Sequence, residues 1–408
     1  MKNNIISLYV KSLSFICLTS FIIGCSDSFL DPKPLSFITT EAGLVDAESM
    51  YSTLAASTIQ IRNHYMDGSF APCMFTEYLF TEEMIDGTTD KTFPSRDMNR
   101  LVIPDGVLNN ASYNRIADCW SQAYAGIKSA SNVITNIDNP TYTNEDEKNA
   151  VLGTAYFHRA FWYYLLVNRF GDVPWIASQI KEPKLNFYST KREVILKQLK
   201  EDLEFAVKWV PETVDRGKVS RGACYHLLTK VDLSLNLFDD AIKAASAVIN
   251  GKYKLMTSRF GSDKADASRN VIWDLHRSTN KTIPENTEEI FSVIDRYGLT
   301  GNVAQSMTSM YIFVPDWGNT TNAIMTPNGH AGMSEGLTNE IDIIHEIGRG
   351  VCKGRCTSYV TRTLNNDPND LRYAKGNWYQ MEDLRYNNPA LKNKDDYYGK
   401  NLQLYDNK

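Results

Sequence analysis

The chain has 408 residues and a formal net charge of −5, with 43 Lys and Arg against 48 Asp and Glu. Charge so close to balance, without a run of basic residues, excludes the electrostatic footprint of a nucleic-acid-binding protein. The length allows one large core or two domains. Aromatic residues are plentiful, with 22 Tyr and 7 Trp, and such rings serve both cores and ligand platforms.

The N-terminus carries a short apolar run that is typical of a secretory signal. Residues 13–24 are mostly apolar, and this run is shorter than the roughly 20 residues that a bilayer-spanning helix needs. Cys25 follows a small glycine at the point where cleavage would occur. We therefore predict a lipoprotein signal peptide over residues 1–24 and lipid attachment at Cys25, where several acyl chains would give firm anchoring. The alternative is an ordinary cleaved signal followed by a chance cysteine.

The seven cysteines do not suggest a disulfide framework. Setting aside the one in the signal and the one predicted to carry lipid leaves five, which is an odd number. Cys119 and Cys224 fall within helical patterns, where a small buried hydrophobic residue is the usual role. Cys352 and Cys356 could bond each other in an exported protein, and the sequence leaves both states open.

Apolar residues at a spacing of three to four predict helices from Ser112 onward. The first runs from Ser112 to Pro140. The second begins at Asn144 with Glu147 three residues later, a capping box, and ends at Gly171, which suits a left-handed cap. The second half of this helix is apolar on every face, so we expect it to be central and buried.

The same spacing predicts three further helices over residues 190–211, 220–235 and 239–251, the first opened by Thr190 with Glu193 as a capping pair. The last two form a pair of roughly tetratricopeptide length, about 34 residues. We therefore predict a mainly α fold in which tetratricopeptide-like helical hairpins form one scaffold, with long irregular loops and a few short strands.

After this helical part the composition changes. Residues 271–273 and 289–294 are short strand candidates, and residues 295–350 are rich in Gly, Asn and Thr. Long loops over a helical scaffold are where binding surfaces are usually built.

A set of motifs recurs along much of the chain. They are CSDSFLD at 25–31, Trp120 with Tyr124 and Ile127, AYFHRA at 155–160, FGDVP at 170–174, Asp202 with Leu203, Asp239 with Ala241 and Ile242, Glu289-Ile290-Phe291, and Asp367-Pro368 with Leu371-Arg372. Together they resemble the SusD/RagB family of outer-membrane nutrient-binding lipoproteins, strongly up to about residue 255 and thinly afterwards.

The resemblance implies a division of the chain: a signal peptide at 1–24, a lipidated leader at 25–44, a SusD-like N-terminal helical region at 45–255, and a loop-rich C-terminal region at 256–408. Known members are generally longer, and this chain ends soon after Asp367-Pro368 with a polar tail from Asn387. It therefore resembles a family member that lacks the final segment, and we expect apolar surface that this segment would cover to be exposed.

The resemblance also implies a function. Such a protein binds oligo- or polysaccharides at the cell surface without catalysis, uses no cofactor or metal, and delivers them to a SusC-like TonB-dependent transporter of the outer membrane. The alternative is a peptide- or protein-binding lipoprotein of the same architecture, as in RagB-like proteins. A hydrolase is the third hypothesis, but no nucleophile motif or suitably placed acid pair supports it.

Sugar binding needs exposed aromatic faces and planar polar groups. The helical aromatics Trp120, Tyr124, Trp162, Tyr163 and Tyr164 are predicted to be core residues. Candidate glycan contacts are therefore taken from the loops: Phe93, Arg96, Asn99, Trp273, His276, Tyr297, Tyr311 and Trp317. For each, the alternative is a side chain that only packs its own loop onto the core.

One pattern resembles a metal site but lacks the required ligands. His345-Glu346 begins like a zinc-protease helix, but Arg349 stands where the second histidine is required. His345 with Cys352 and Cys356 lacks a fourth ligand nearby. The sequence therefore predicts no metal site.

Overall fold

The structure is a computed structural model, which describes residues 43–66, 77–79, 81–87, 115–294, 324–334, 350, 354–374, 376–377 and 383–403. The chain divides into two compact units, residues 1–45 and 46–408, and the elements named below lie in the second. The predicted signal peptide and Cys25 lie outside the described residues.

The described residues form a mainly helical fold, as predicted. Its helices are α1 (Ala47–Met66), α2 (Arg115–Thr135), α3 (Glu145–Phe170), α4 (Arg192–Trp209), α5 (Arg221–Ser234), α6 (Phe238–Ile249), α7 (Val271–His276) and α8 (Ser358–Arg362). Short 3₁₀ turns lie at Leu364–Asn366, Leu371–Tyr373 and Pro389–Leu391. Helices α2 to α6 pack on their neighbours in sequence, as expected of helical hairpins, and α1 packs on α2 and α3.

The strands are short and antiparallel. Strand β1 (Met84–Asp86) pairs with β4 (Gly354–Cys356), and Met84 lies opposite Cys356. Strand β2 (Val173–Pro174) pairs with β3 (Ser189–Thr190). The first pair joins two parts of the chain far apart in sequence, and the second closes the connection between α3 and α4.

Helix α3 is the centre of the core. Trp162 and Tyr163 are fully buried, and Trp120, Tyr124 and Tyr164 pack partly buried against the same cluster. The prediction that these aromatic residues belong to the core is therefore confirmed. An α3 helix that is apolar on several faces must be covered by neighbours on several sides, and α1, α2 and α4 supply them.

Two close contacts draw α1 and α2 onto α3. The Trp162 indole Nε1 donates a hydrogen bond of 2.8 Å to Ser57 Oγ on α1. On α2, Gly126 faces the same indole so closely that a methyl group there would overlap it. The glycine therefore sets the approach of α2, and the serine satisfies the buried indole donor.

A buried histidine also joins these three helices. His64 on α1 is completely buried, its Nδ1 lies 3.3 Å from Gln122 Oε1, and Arg169 Nη2 lies 3.1 Å from its Nε2. Because a guanidinium can only donate, Nε2 must accept and Nδ1–H must donate to Gln122. Burial, and then the Arg169 charge, lower the pKa of His64 to about 4.

A buried ion pair holds α4 to α3. Arg159 and Asp202 make two hydrogen bonds, Nε to Oδ2 at 2.8 Å and Nη2 to Oδ1 at 2.7 Å, while Gln198 Nε2 donates to Asp202 Oδ1 at 3.1 Å. The guanidinium also lies over the rings of Tyr156 and Trp175, 4.8 and 5.1 Å from their centroids. This geometry matches the planar fork of arginine to a carboxylate inside the core.

Two of the predicted helix caps are present and one is not. The Asn144 side chain accepts from the Glu147 amide at 2.9 Å. Gly171 ends α3 with a positive φ of 74°, although its ψ of −122° lies outside the left-handed helical region. Thr190 lies in β3 instead, and the N-cap of α4, Lys191, has no side-chain capping bond. Asp172 takes this role, because its Oδ1 accepts from the Arg192 amide at 2.9 Å.

Both strand predictions after α6 are wrong. Residues 271–276 form α7, where the Asn270 side chain caps the first turn by accepting from the Ile272 amide. Residues 289–294 form neither a helix nor a strand. They pack their apolar side chains, including Ile290, Phe291 and Val293, against the helical core, so core packing and not sheet formation explains their composition.

The cysteines differ from expectation at two positions. Cys119 is buried, as predicted, but it takes part in a disulfide bond. Cys356 is a free thiol, so the Cys352–Cys356 disulfide that the sequence left open is not formed. Cys224 is a buried free thiol, in agreement with its predicted role.

Helix α6 presents an apolar stripe to solvent. Phe238, Ile242 and Ile249 lie at helical spacing and are all exposed, whereas Ala241 and Ala244 on the other side are buried.

Within the described ranges, no helix combines the length and the apolar character that crossing a membrane requires.

Candidate functional site

A cleft lined by both apolar and polar side chains lies where the loop after α6 meets the connection between α4 and α5. We call it the loop cleft: it has a volume of about 480 Å³, with residues 213–220 on one side and residues 252–253 and 282–291 on the other. The α4–α5 connection is irregular because Pro211 ends α4 and Ser220 caps α5. Two helix ends therefore position one wall of the cleft.

Arg216 holds the two walls together. Its Nη2 donates to the carbonyl oxygens of Ile283 and Asn286 at 3.2 and 3.1 Å, and its Nη1 donates to the Glu289 carbonyl at 3.4 Å. It also forms an ion pair with the Glu289 carboxylate. One guanidinium thus fixes the loop over residues 283–289 in place of regular secondary structure.

Tyr253 supplies an aromatic ring to the loop cleft. Its hydroxyl lies 2.9 Å from Ser220 Oγ, which also accepts from the Ala223 amide and donates to the Ile290 carbonyl. The ring packs so closely on Gly222 that a methyl group there would overlap it. Lys252 Nζ lies 5.4 Å from the ring centroid. Tyr253 is half-buried and held rigidly, as a ligand platform requires.

The acidic groups of the loop cleft are paired with cations. Asp215 binds Lys218 at 2.9 Å, and this hydrogen bond lowers the pKa of the Asp215 carboxyl. Glu289 is paired with Arg216. Carboxylate oxygens accept hydrogen bonds from hydroxyl groups, so the loop cleft offers acceptors to a hydroxyl-bearing ligand.

Trp273 and His276 lie together on α7, three residues apart, and neither lines the loop cleft. The Trp273 indole donates to Asp263 Oδ2 at 2.8 Å, and the guanidinium groups of Arg269 and Arg277 lie 3.8 and 5.3 Å from its ring centroid. His276 is exposed, with Nδ1 2.8 Å from the Ile272 carbonyl. The Trp273 side chain therefore contacts residues of its own segment, and His276 is the more accessible of the two.

The other predicted contacts lie outside the described residues: Phe93, Arg96, Asn99, Tyr297, Tyr311 and Trp317. The structure therefore brings together only Trp273 and His276 from the predicted set. Sequence reasoning missed Tyr253 and Arg216. A signal for Tyr253 was present, since an aromatic residue two positions after the helix-ending Gly251 is placed against the preceding hairpin.

Comparison with known proteins follows the same part of the chain. Residues 40–233 match the family SusD-like_3, described as "Starch-binding associating with outer membrane". The SusD-like protein P2 of Formosa agariphila is 28% identical over 250 residues, which cover 59% of this chain and 46% of that protein. The chain spans about half the length of the curated relatives it matches.

Solved structures share the fold. A SusD superfamily protein from Bacteroides thetaiotaomicron superposes with a TM-score of 0.56 at 14% identity, covering 81% of this chain and 64% of that one. A laminarin-binding SusD-like protein gives a TM-score of 0.50 at 18% identity, with 70% and 61% covered. At these identities the likeness concerns the fold alone.

Proposed function

Over residues 40–233 this chain is SusD-like, and on that premise we propose that it is a non-catalytic surface lipoprotein that binds oligo- or polysaccharides. It delivers them to a SusC-like TonB-dependent transporter, and the lipid on Cys25 holds it on the outer membrane. The family match, whose description names both starch binding and the outer membrane, is the observation that carries this proposal.

Two surfaces support glycan binding. In the loop cleft, the rigid Tyr253 ring stands beside hydroxyl, amide and charged side chains, which is the combination that recognises a sugar ring and its hydroxyls. The exposed His276 on α7 offers a second polar contact outside this cleft. We assign the loop cleft as the principal site because its groups are held by bonds to the scaffold.

Affinity electrophoresis of the folded protein against a panel of polysaccharides, including starch and laminarin, tests the proposal. We expect retardation by at least one polysaccharide. Tyr253→Ala should then weaken binding about tenfold, the loss of a stacking ring and its buried area. Tyr188→Ala is the matched control, because Tyr188 is 81% exposed and lies outside the cleft.

The possible outcomes separate the competing functions. Retention of peptides but of no polysaccharide would replace the glycan proposal with the RagB-like alternative. Release of soluble sugar from any polysaccharide would instead indicate a hydrolase. Unchanged binding by Tyr253→Ala, with Trp273→Ala or His276→Ala defective, would move the site to α7.

Membrane attachment and delivery have their own tests. Mass spectrometry of the mature N-terminal peptide should find an acylated Cys25, and an unmodified thiol would contradict the anchor. A SusC-like barrel transporter of the same cell should co-purify with the intact protein. Failure of that transporter to co-purify would remove the delivery step and leave glycan binding standing.

A further inference from the structure

The apolar stripe of α6 has the spacing of a helix-pairing surface. Phe238, Ile242, Ala245 and Ile249 follow one another at intervals of four, three and four residues, and we call these four residues the α6 seam. Side chains at these intervals form one line along a helix and are the positions where two helices pack side by side. Phe238, Ile242 and Ile249 are 60%, 63% and 67% exposed. Single exposed apolar residues are ordinary, but an aligned set marks an interaction surface.

The α6 seam is accessible because α6 is the outer helix of its hairpin. It packs on α5, and Ala241 and Ala244 are buried on the side that faces the scaffold. Asp240 fixes the start of the helix, since its carboxylate binds Lys200 on α4 at 3.3 Å and Lys243 at 3.2 Å. A stack of helices that ends in an exposed apolar face can accept one more helix at that face.

The spacing of the α6 seam is symmetric about its midpoint, because the intervals are the same when read from either end. Two antiparallel copies of α6 therefore bring Phe238 of one copy opposite Ile249 of the other, and Ile242 opposite Ala245. The large Ile242 side chain then meets a small alanine, a combination that lets two helices interdigitate. A surface that matches itself in this way is what a twofold-symmetric interface requires.

The charges at the two ends of α6 favour this antiparallel arrangement. Asp239 is exposed in the first turn. At the other end Lys254 Nζ donates to the Ile249 carbonyl at 3.1 Å, so its positive charge lies at the C-terminal end of the seam. Because Ile249 of one copy faces Phe238 of the other, Lys254 comes close to Asp239 of the other copy. A parallel pair would instead place the two Asp239 carboxylates together, where they repel.

We propose that two copies of this protein associate through the α6 seam as an antiparallel, twofold-symmetric helix pair. The contact spans about 17 Å of helix, which makes it smaller than a standard protein–protein interface. The dimer is therefore weak and forms as the protein concentration rises. None of the four seam residues lines the loop cleft, so the proposal stands whether or not that cleft binds sugar.

Sedimentation equilibrium of the full mature chain, produced without lipid, tests the association between about 1 μM and about 1 mM. We expect a monomer–dimer equilibrium that Ile242→Asp weakens about a hundredfold, because symmetry places the lost contact and the buried charge in each dimer twice. Ala247→Asp is the matched control, since Ala247 is exposed on the same helix about half a turn from the seam. It should change the dissociation constant by less than about threefold.

Cysteine cross-linking tests the orientation of the pair. In a Cys356→Ser background, which removes an exposed native thiol, the double variant Phe238→Cys/Ile249→Cys should form a covalent dimer with a thiol cross-linker shorter than the seam. Each single variant should give no more dimer than the background protein, because its two new thiols lie about 17 Å apart in the antiparallel pair. Strong cross-linking of either single variant would show parallel pairing and overturn the proposal.

A chain that stays monomeric at about 1 mM would also overturn the proposal, as would equal weakening of the dimer by Ile242→Asp and Ala247→Asp. Both exchanged residues are exposed, so both variants should fold, and their urea midpoints check this. If the chain is monomeric and Ile242→Asp instead abolishes binding to lipid vesicles or co-purification of the SusC-like transporter, the seam belongs to that partner and self-association is refuted.

Discussion

Replacing Asp202 by alanine should strongly destabilise the protein, because it leaves the Arg159 guanidinium buried without its partner. The two side chains are 6% and 3% exposed. The substitution removes both short hydrogen bonds and leaves Arg159 only a longer one of 3.4 Å to the Ala177 carbonyl. Removing one partner of a buried ion pair costs roughly 3–5 kcal/mol.

The surroundings of Arg159 place the expected loss at the lower end of this range. The rings of Tyr156 and Trp175 remain beside the guanidinium, and cation–π contacts of this kind are worth about 1 kcal/mol or more when desolvated. We therefore expect Asp202→Ala to reduce the free energy of unfolding by about 3 kcal/mol.

Urea unfolding of the two proteins measures this difference from the shift of the midpoint at constant slope. Lys197→Ala is the control, because it removes an exposed ion pair with Glu193, whose side chain is 70% exposed. Such pairs contribute less than about 0.5 kcal/mol. The double variant Arg159→Met/Asp202→Leu should be more stable than Asp202→Ala, since it leaves no buried charge.

The reasoning would be refuted if Asp202→Ala lowered the free energy of unfolding no more than Lys197→Ala does. It would also be refuted if the double variant were as unstable as the single one, because the loss would then come from packing and not from a stranded charge.

Three further predictions concern the helical scaffold. Acidification from pH 6.5 to pH 4 should lower the free energy of unfolding. The histidines of the unfolded chain take up protons near pH 6.5, whereas the buried His64 and His158, each with a pKa of about 4, stay neutral until the pH is lower. The loss reaches about 3 kcal/mol per histidine below pH 4, and urea midpoints that stay constant over this window would contradict it. Gly126→Ala should lower the free energy of unfolding by about 3 kcal/mol, because the added methyl group would overlap the buried Trp162 indole. The better helix propensity of alanine is too small to offset this loss. An unchanged melting temperature would disprove the prediction. Ser220→Ala should lower the free energy of unfolding by about 2 kcal/mol, since the hydroxyl caps α5 and also binds a loop carbonyl and the tyrosine of the loop cleft. A change below about 0.5 kcal/mol in the same urea assay would show that these three hydrogen bonds contribute little to stability.

The helices were predictable because their signals are local. The capping pair of Asn144 with Glu147 and the apolar run over residues 161–167 each lie within one or two turns of α3, and such patterns predict a helix and its burial without knowledge of partners. Helix α1 was missed because two positions of its buried stripe, Ser57 and His64, are polar.

Two of the failures involve partners elsewhere in the chain. Thr190 looked like a cap, but β2 pairs with it through Val173, and Asp172 then lies close enough to accept the Arg192 amide. Nothing near Thr190 in sequence encodes this pairing. The apolar residues at 289–294 likewise predicted a strand. Burial against a helical core is equally favourable for such residues, and this is how they are used.

The loop cleft was hidden for the same reason. Arg216 and Tyr253 lie 37 positions apart and contact loop residues still further along the chain. Sequence reasoning therefore identified that loops would carry the site but not which side chains meet there. Trp273 was predicted as a sugar contact, and the guanidinium groups of Arg269 and Arg277 lie near its ring through contacts that the sequence did not indicate.

The bonds that hold α1 have a consequence for the order of assembly. The Trp162–Ser57 and Arg169–His64 contacts each span 105 positions of the chain, whereas α2 to α6 touch successive neighbours. Closing long loops slows folding, so we expect the sequential helices to form first and α1 to dock last. Ser57→Ala should accordingly speed unfolding while leaving the refolding rate almost unchanged.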